Sequence, residues 1–99
     1  MKVILAETPS LEAPLSMRFA RAPYIGWVQP DGSVQFEPNP FLSVTGGAGP
    51  QFVAWLANHG VKEVISAAVP GVNASAALEQ FGIKHIQKTG IVRDVTGEV

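Results

Sequence analysis

The chain has 99 residues, 46% of them hydrophobic and 15% charged, and seven basic against eight acidic groups leave a formal charge of -1. That balance argues against a general electrostatic attraction to nucleic acid or an anionic membrane. The absence of cysteine removes disulfides, thiol nucleophiles and cysteine-ligated zinc or iron–sulfur centres.

Such a length predicts a single domain over residues 1–99. No apolar run approaches the ~20 residues of a membrane-spanning helix. The opening run Met1–Ala6 is too short for a secretory core and is followed by Glu7. A soluble cytoplasmic protein is the expectation. Val3-Ile4-Leu5-Ala6 reads as a strand buried on both faces, which suits the middle of an α/β sheet. Thr8 to Pro23 holds three prolines and reads as a loop, and ordered loops of this length are often functional. Tyr24–Val28 is aromatic and β-branched, Pro30-Asp31-Gly32 is a turn signal, and Ser33–Glu37 alternates polar with apolar, so the three form a hairpin. Pro38-Asn39-Pro40 ends it.

At Gly46 the pattern changes. Gly46-Gly47-Ala48-Gly49-Pro50 leads into a helix over 49–59, with Pro50 at its first position, Phe52, Trp55 and Leu56 at helical spacing, and Gly60 past its end. A strand over 62–66 follows, then a helix over 73–81 stopped by Gly82, then a strand over 83–87. The tail from Lys88 to Val99 has room for one weak helical turn. The order is β-β-β-α-β-α-β, and right-handed crossovers place the last two strands parallel to the first. Val3, Leu5, Ile25, Phe52, Leu56, Val64, Leu78 and Ile83 are the predicted core.

In an open sheet of this kind, ligands bind beyond the carboxyl ends of the parallel strands. Three segments meet there: the loop from Thr8 to Arg21, the Gly46–Pro50 lead-in, and the Pro70–Asn73 lead-in. Two helix N-termini offer unpaired N–H groups and positive dipole ends, and Arg18 and Arg21 add charge. A small anion or anionic cofactor is the favoured guest, held by Arg18, Arg21, the amides of Gly47 to Gly49, and Asn73. The alternative is structural. The glycines then make tight turns, Asn73 caps a helix, and Arg21 braces its loop on backbone carbonyls. The Gly-rich stretch lacks the ending of a phosphate-binding P-loop, so nucleotide hydrolysis has little support.

His59, near the end of the first helix, suits the helix dipole better than a metal. His85, between Ile83 and Ile86, reads as a half-buried or edge-strand side chain. The acids are scattered, and no metal-ligand spacing, nucleophile elbow or catalytic triad pattern is present. A non-enzymatic binding domain is therefore expected. The second reading is an interaction or regulatory module using the hairpin edge and Phe41-Leu42.

Several segments resemble a known family in order and spacing. Phe19-Ala20-Arg21-Ala22-Pro23-Tyr24 resembles the FGRAPYF-type signature of the dinitrogenase iron–molybdenum cofactor biosynthesis family, which includes NifX, NafY and the C-terminal domain of NifB. Glu37-Pro38-Asn39-Pro40, Gly46 to His59, Gly60–Ile65 and Gly71-Val72-Asn73-Ala74 with Gly82-Ile83-Lys84 resemble its later segments, so that the likeness spans residues 1–88. The resemblance implies a ribonuclease H-like three-layer α/β/α fold with a mixed five-stranded sheet. It further implies a small carrier of the iron–molybdenum cofactor or a related iron–sulfur cluster, with metallocluster-assembly proteins as partners. Members often carry a histidine just before the FGR signature. Here that position is Arg18, which pairs with an anion but does not ligate a metal.

Overall fold

The computed structural model describes residues 1–96. The elements in chain order are β1 (Lys2–Ala6), β2 (Tyr24–Val28), β3 (Val34–Pro38), α1 (Ala48–Asn58), β4 (Glu63–Ser66), α2 (Val72–Phe81), β5 (Lys84–Gln87) and α3 (Val92–Thr96). They build one mixed five-stranded sheet in the order β3-β2-β1-β4-β5. β1 is central because nothing polar interrupts its apolar run: Val3, Ile4, Leu5 and Ala6 have no exposed surface. It pairs antiparallel with β2 and parallel with β4, and β4 pairs parallel with β5. β2 alone among the five runs against the others, since β3 pairs antiparallel to it.

Alternation along β1 divides the interior into two cores. Val3 and Leu5 face α1 and α2 and pack with Ile25, Phe52, Leu56, Val64, Leu78 and Ile83. Ile4 and Ala6 face the other way, toward Ile65, Ala13, Leu15, Val92 and Val95. All eight predicted core residues are buried. The second face is covered by the long loop together with α3. Ala6 bridges Leu15, Pro14 bridges Ile91, and the Val92 and Arg93 amides donate to the Ala13 and Leu11 carbonyls. The expected helical turn in the tail is α3; the rest of that expectation, residues 97–99, lies outside the described residues. Among the described residues, no helix is long and apolar enough to cross a membrane.

Two helix starts differ from expectation. α1 begins at Ala48, so Pro50 is its third residue rather than its first. Gly47 stands before it at φ 69°, a conformation that glycine adopts without steric cost. Proline is tolerated at the third position because first-turn N–H groups have no intrahelical acceptor. α2 begins at Val72 with Gly71 before it, and no side chain caps it. Asn73 is therefore inside the first turn and is not the cap. Near their N-termini the two helices come close: a Cβ on Gly49 would lie 3.1 Å from the Ala74 Cβ.

Candidate functional site

Because β4 and β5 run parallel and their crossovers lie on one face, α1 and α2 start at the same end of the sheet. A cavity of about 410 Å³ opens there. Its walls are the first turns of both helices, Val69 and Gly71 from the loop before α2, and Phe19-Ala20 from the loop after β1. The first intrahelical bonds are Gln51 N–H to Gly47 and Ser75 N–H to Gly71. The N–H groups of Ala48, Gly49, Val72, Asn73 and Ala74 precede those bonds, and neither helix has a side-chain cap. The wall carries no charged side chain. Its polarity comes from backbone donors, two positive helix ends and Asn73, the one polar side chain among its lining residues.

Gly47, Gly49 and Asn73 lie on this wall; Arg18 and Arg21 adjoin Phe19 and Ala20 in sequence but are not among the residues that line it. Arg18 is exposed and its Nη2 donates to Glu7 Oε1 at 2.9 Å. The Ser16 hydroxyl, then the Arg18 hydrogen bond and charge, hold the Glu7 carboxyl below the usual carboxylate range, against an opposing effect of partial burial. Arg21 Nη1 donates to the carbonyl oxygens of Phe41 (3.2 Å) and Leu42 (2.9 Å). That geometry is the bracing alternative stated above.

Asn39, whose role is not legible in the sequence, completes the brace. It is 4% exposed. Its Nδ2 donates to the carbonyls of Ala20 and Ala22, both at 2.9 Å, and its Oδ1 accepts from the Phe41 amide at 2.8 Å. The two motifs around Arg21 and Asn39 thus clamp one loop to the other, and the clamp sets the Phe19-Ala20 wall. Phe19 likewise has no role legible in the sequence; its ring packs on Phe52 and on His85. The only signal for either residue lay in the family motifs, because their partners are backbone groups and core rings.

Neither histidine lines the cavity. His59 follows α1, with Nδ1 2.8 Å from the Trp55 carbonyl and its ring 4.3 Å from the Trp55 ring. His85, half-buried on edge strand β5, has Nε2 2.7 Å from Ser66 Oγ. Burial pushes its pKa below the ordinary histidine value. Ser66 is fully buried and its oxygen also accepts the Ala68 amide, so this pair presents no nucleophile to the cavity. Among the described residues, no three His, Asp or Glu side chains converge to hold a metal ion.

The family described as "Dinitrogenase iron-molybdenum cofactor" matches residues 1–99. The chain belongs to that family. No curated protein matches it. Among solved structures, the apo form of the orange protein from Desulfovibrio gigas superposes with a TM-score of 0.81 at 28% identity, over 94% of this chain and 80% of that one. A Thermotoga protein described as a candidate NifB protein superposes with a TM-score of 0.74 at 29% identity, over 94% of this chain and 80% of that one. The segment that resembles the family's FGR-type signature forms part of the clamp that carries the Phe19-Ala20 wall, and Gly71-Val72-Asn73-Ala74 forms the start of α2.

Proposed function

We propose that this chain is a non-enzymatic carrier domain. Its cargo is an anionic metallocluster, the iron–molybdenum cofactor or a related iron–sulfur cluster, or another small anion exchanged with cluster-assembly proteins. The observation that carries the reading is the convergence of two uncapped helix N-termini on one 410 Å³ cavity without a charged wall. Family membership supplies the class of cargo. With no thiolate and no converging ligand trio among the described residues, the cargo is held by N–H donors, dipole ends and an arginine adjoining the wall in sequence rather than by coordination. Each helix end favours an adjacent negative charge by ~0.3–1 kcal/mol, and more where partly buried. Hydrogen bonds to a charged group add ~1.5–3 kcal/mol each. Several such donors reach the ~8 kcal/mol of micromolar binding.

The test titrates sulfate, molybdate and extracted iron–molybdenum cofactor against the wild type and Val72→Glu. Val72 is 87% exposed at the first position of α2 and lines the cavity. A carboxylate there suits the helix end but repels an anion. Binding by the wild type and its loss in the folded variant support the carrier. Absence of binding by the wild type overturns it and leaves the interaction module. That second reading has its own observation: Val69 and Val72, both on the cavity wall, are 77% and 87% exposed apolar side chains.

A further inference from the structure

We infer that Ser66 and His85 form an acid-operated latch: the neutral imidazole fastens both loop walls of the cavity, and protonation releases them. The latch goes beyond the carrier reading and does not depend on what the cavity holds.

Besides the helix starts, the cavity has two loop walls, Phe19-Ala20 after β1 and Val69 with Gly71 before α2. Both loops are tied to the same two side chains. The Phe19 ring packs edge-on against the His85 ring, with centroids 5.6 Å apart and planes at 83°. The Ala68 amide, one residue before Val69, donates to Ser66 Oγ at 3.2 Å. Ser66 Oγ and His85 Nε2 lie 2.7 Å apart. Backbone bonds meet at the same point: the Ser66 carbonyl accepts from the Lys88 amide, and the Ala67 amide donates to the Ser16 carbonyl.

Counting donors fixes the direction of the Ser66–His85 bond. A hydroxyl has one hydrogen to give, and a neutral imidazole has one accepting nitrogen. Ser66 Oγ already accepts the Ala68 amide, and its other hydrogen-bond partner among the described residues is His85 Nε2. Ser66 has no exposed surface, so water cannot take its hydrogen. The hydroxyl therefore donates to Nε2, and the proton of the neutral ring sits on Nδ1. A proton added at Nε2 turns this acceptor into a donor. Two N–H groups then face one oxygen, and a buried hydroxyl hydrogen loses its partner. The ring has a short way out, because β5 is an edge strand and His85 is half-buried. The imidazolium turns into water, and Phe19 loses the ring it rests on.

No neighbouring charge takes over this role. Glu63 and Lys84 stand opposite each other in the β4–β5 register, one position before Val64 and His85, and so on the other face of the sheet. α1 carries no charged residue, α2 carries Glu79, Lys88 follows β5, and the loop around Phe19 carries Arg18 and Arg21. The lowering of the His85 pKa comes from burial and not from any of these charges. Glu7, paired with Arg18, is held below the usual carboxylate range and stays ionised where histidine titrates.

The experiment titrates the isotope-labelled chain by NMR from about pH 8 to 5, the range in which histidines change charge, following the ring nitrogens and the backbone amides. At the alkaline end His85 should be the Nδ1–H tautomer. The Phe19, Ala20 and Ala68 amides should shift with the midpoint of the His85 ring, while those of β3 on the far edge should not. The three shifts should vanish in His85→Gln and persist in His59→Gln. Ser66→Ala should raise the His85 midpoint, because Nε2 loses the donor that favours the neutral ring and no buried hydroxyl is left to strand. An Nε2–H tautomer overturns the latch. So do amides that stay in place while His85 titrates, or a His85 midpoint that is unchanged or lower in Ser66→Ala. The tautomer and the His85→Gln titration decide the matter even if Ser66→Ala does not fold.

Discussion

Removing the Asn39 side chain is the sharpest probe of the clamp that sets the cavity wall. Asn39→Ala deletes three hydrogen bonds, to the Ala20 and Ala22 carbonyls and from the Phe41 amide, at 2.8–2.9 Å. The Ala22 bond is buried, whereas the other two are partly buried. A buried group left without a partner costs ~1–3 kcal/mol. The Ala22 carbonyl incurs that in full, and water relieves part of the cost at the other two. The expected loss is ~2–4 kcal/mol, against a total stability of ~5–15 kcal/mol for a domain of this kind. At 4–8 °C per kcal/mol for a chain of this size, the melting temperature should fall by about 10–30 °C. Urea denaturation followed by tryptophan fluorescence measures the loss. Asn39→Asp adds a second signature. It keeps the acceptor for Phe41 but sets a carboxylate against two carbonyls, so it should be at least as destabilised at pH 7 and recover partly in acid, where the protonated acid regains a donor. A midpoint for Asn39→Ala within ~0.5 kcal/mol of wild type, the ordinary effect of a surface substitution, would show that the clamp does not hold the loops.

Leu56 has no exposed surface in α1, and Leu56→Ala should cost ~2–5 kcal/mol by the same denaturation assay. Gly82 follows α2 at φ +68°, so Gly82→Ala should cost ~1–2 kcal/mol without affecting sulfate binding. Val72→Glu should melt within ~0.5 kcal/mol of wild type while losing sulfate. His85 supplies a pH test. Burial lowers its folded-state pKa, so the unfolded chain takes up a proton first as pH falls. Its contribution to stability is complete above about 6.5, the unperturbed value, and is lost as the pH drops from there toward the folded value. His85→Gln should flatten the stability profile across that window, and an unchanged slope would assign it to other groups.

The family motifs of this chain include much that is architecture. Arg21 and Asn39 do not reach into the cavity; they fasten the loop after β1 to the loop after β3. The polar groups offered at the cavity are mostly backbone N–H, and these carry no side-chain identity. A glycine-bearing lead-in therefore reads equally well as a binding loop or a tight turn until both helix starts are seen at one place.

What the sequence alone determined is local. The unbroken Val3–Ala6 run, the Pro30–Gly32 turn between alternating strands and the 3.6-residue spacing after Gly46 follow from backbone geometry and burial periodicity. They predicted every strand and both long helices, with helix starts displaced by one residue because Gly47 and Gly71, not the residues after them, flank the helices. The eight core positions followed from the same periodicity. Non-local pairing was left to the tertiary structure. It set the sheet order, folded the proline-rich loop onto the second face through Leu15 and Val92, and took Arg18 to Glu7 and Arg21 to two carbonyls. No local pattern encodes such partners, because an arginine satisfies its donors equally well on a ligand, a carboxylate or a carbonyl, and only the folded chain decides which of them lies within reach.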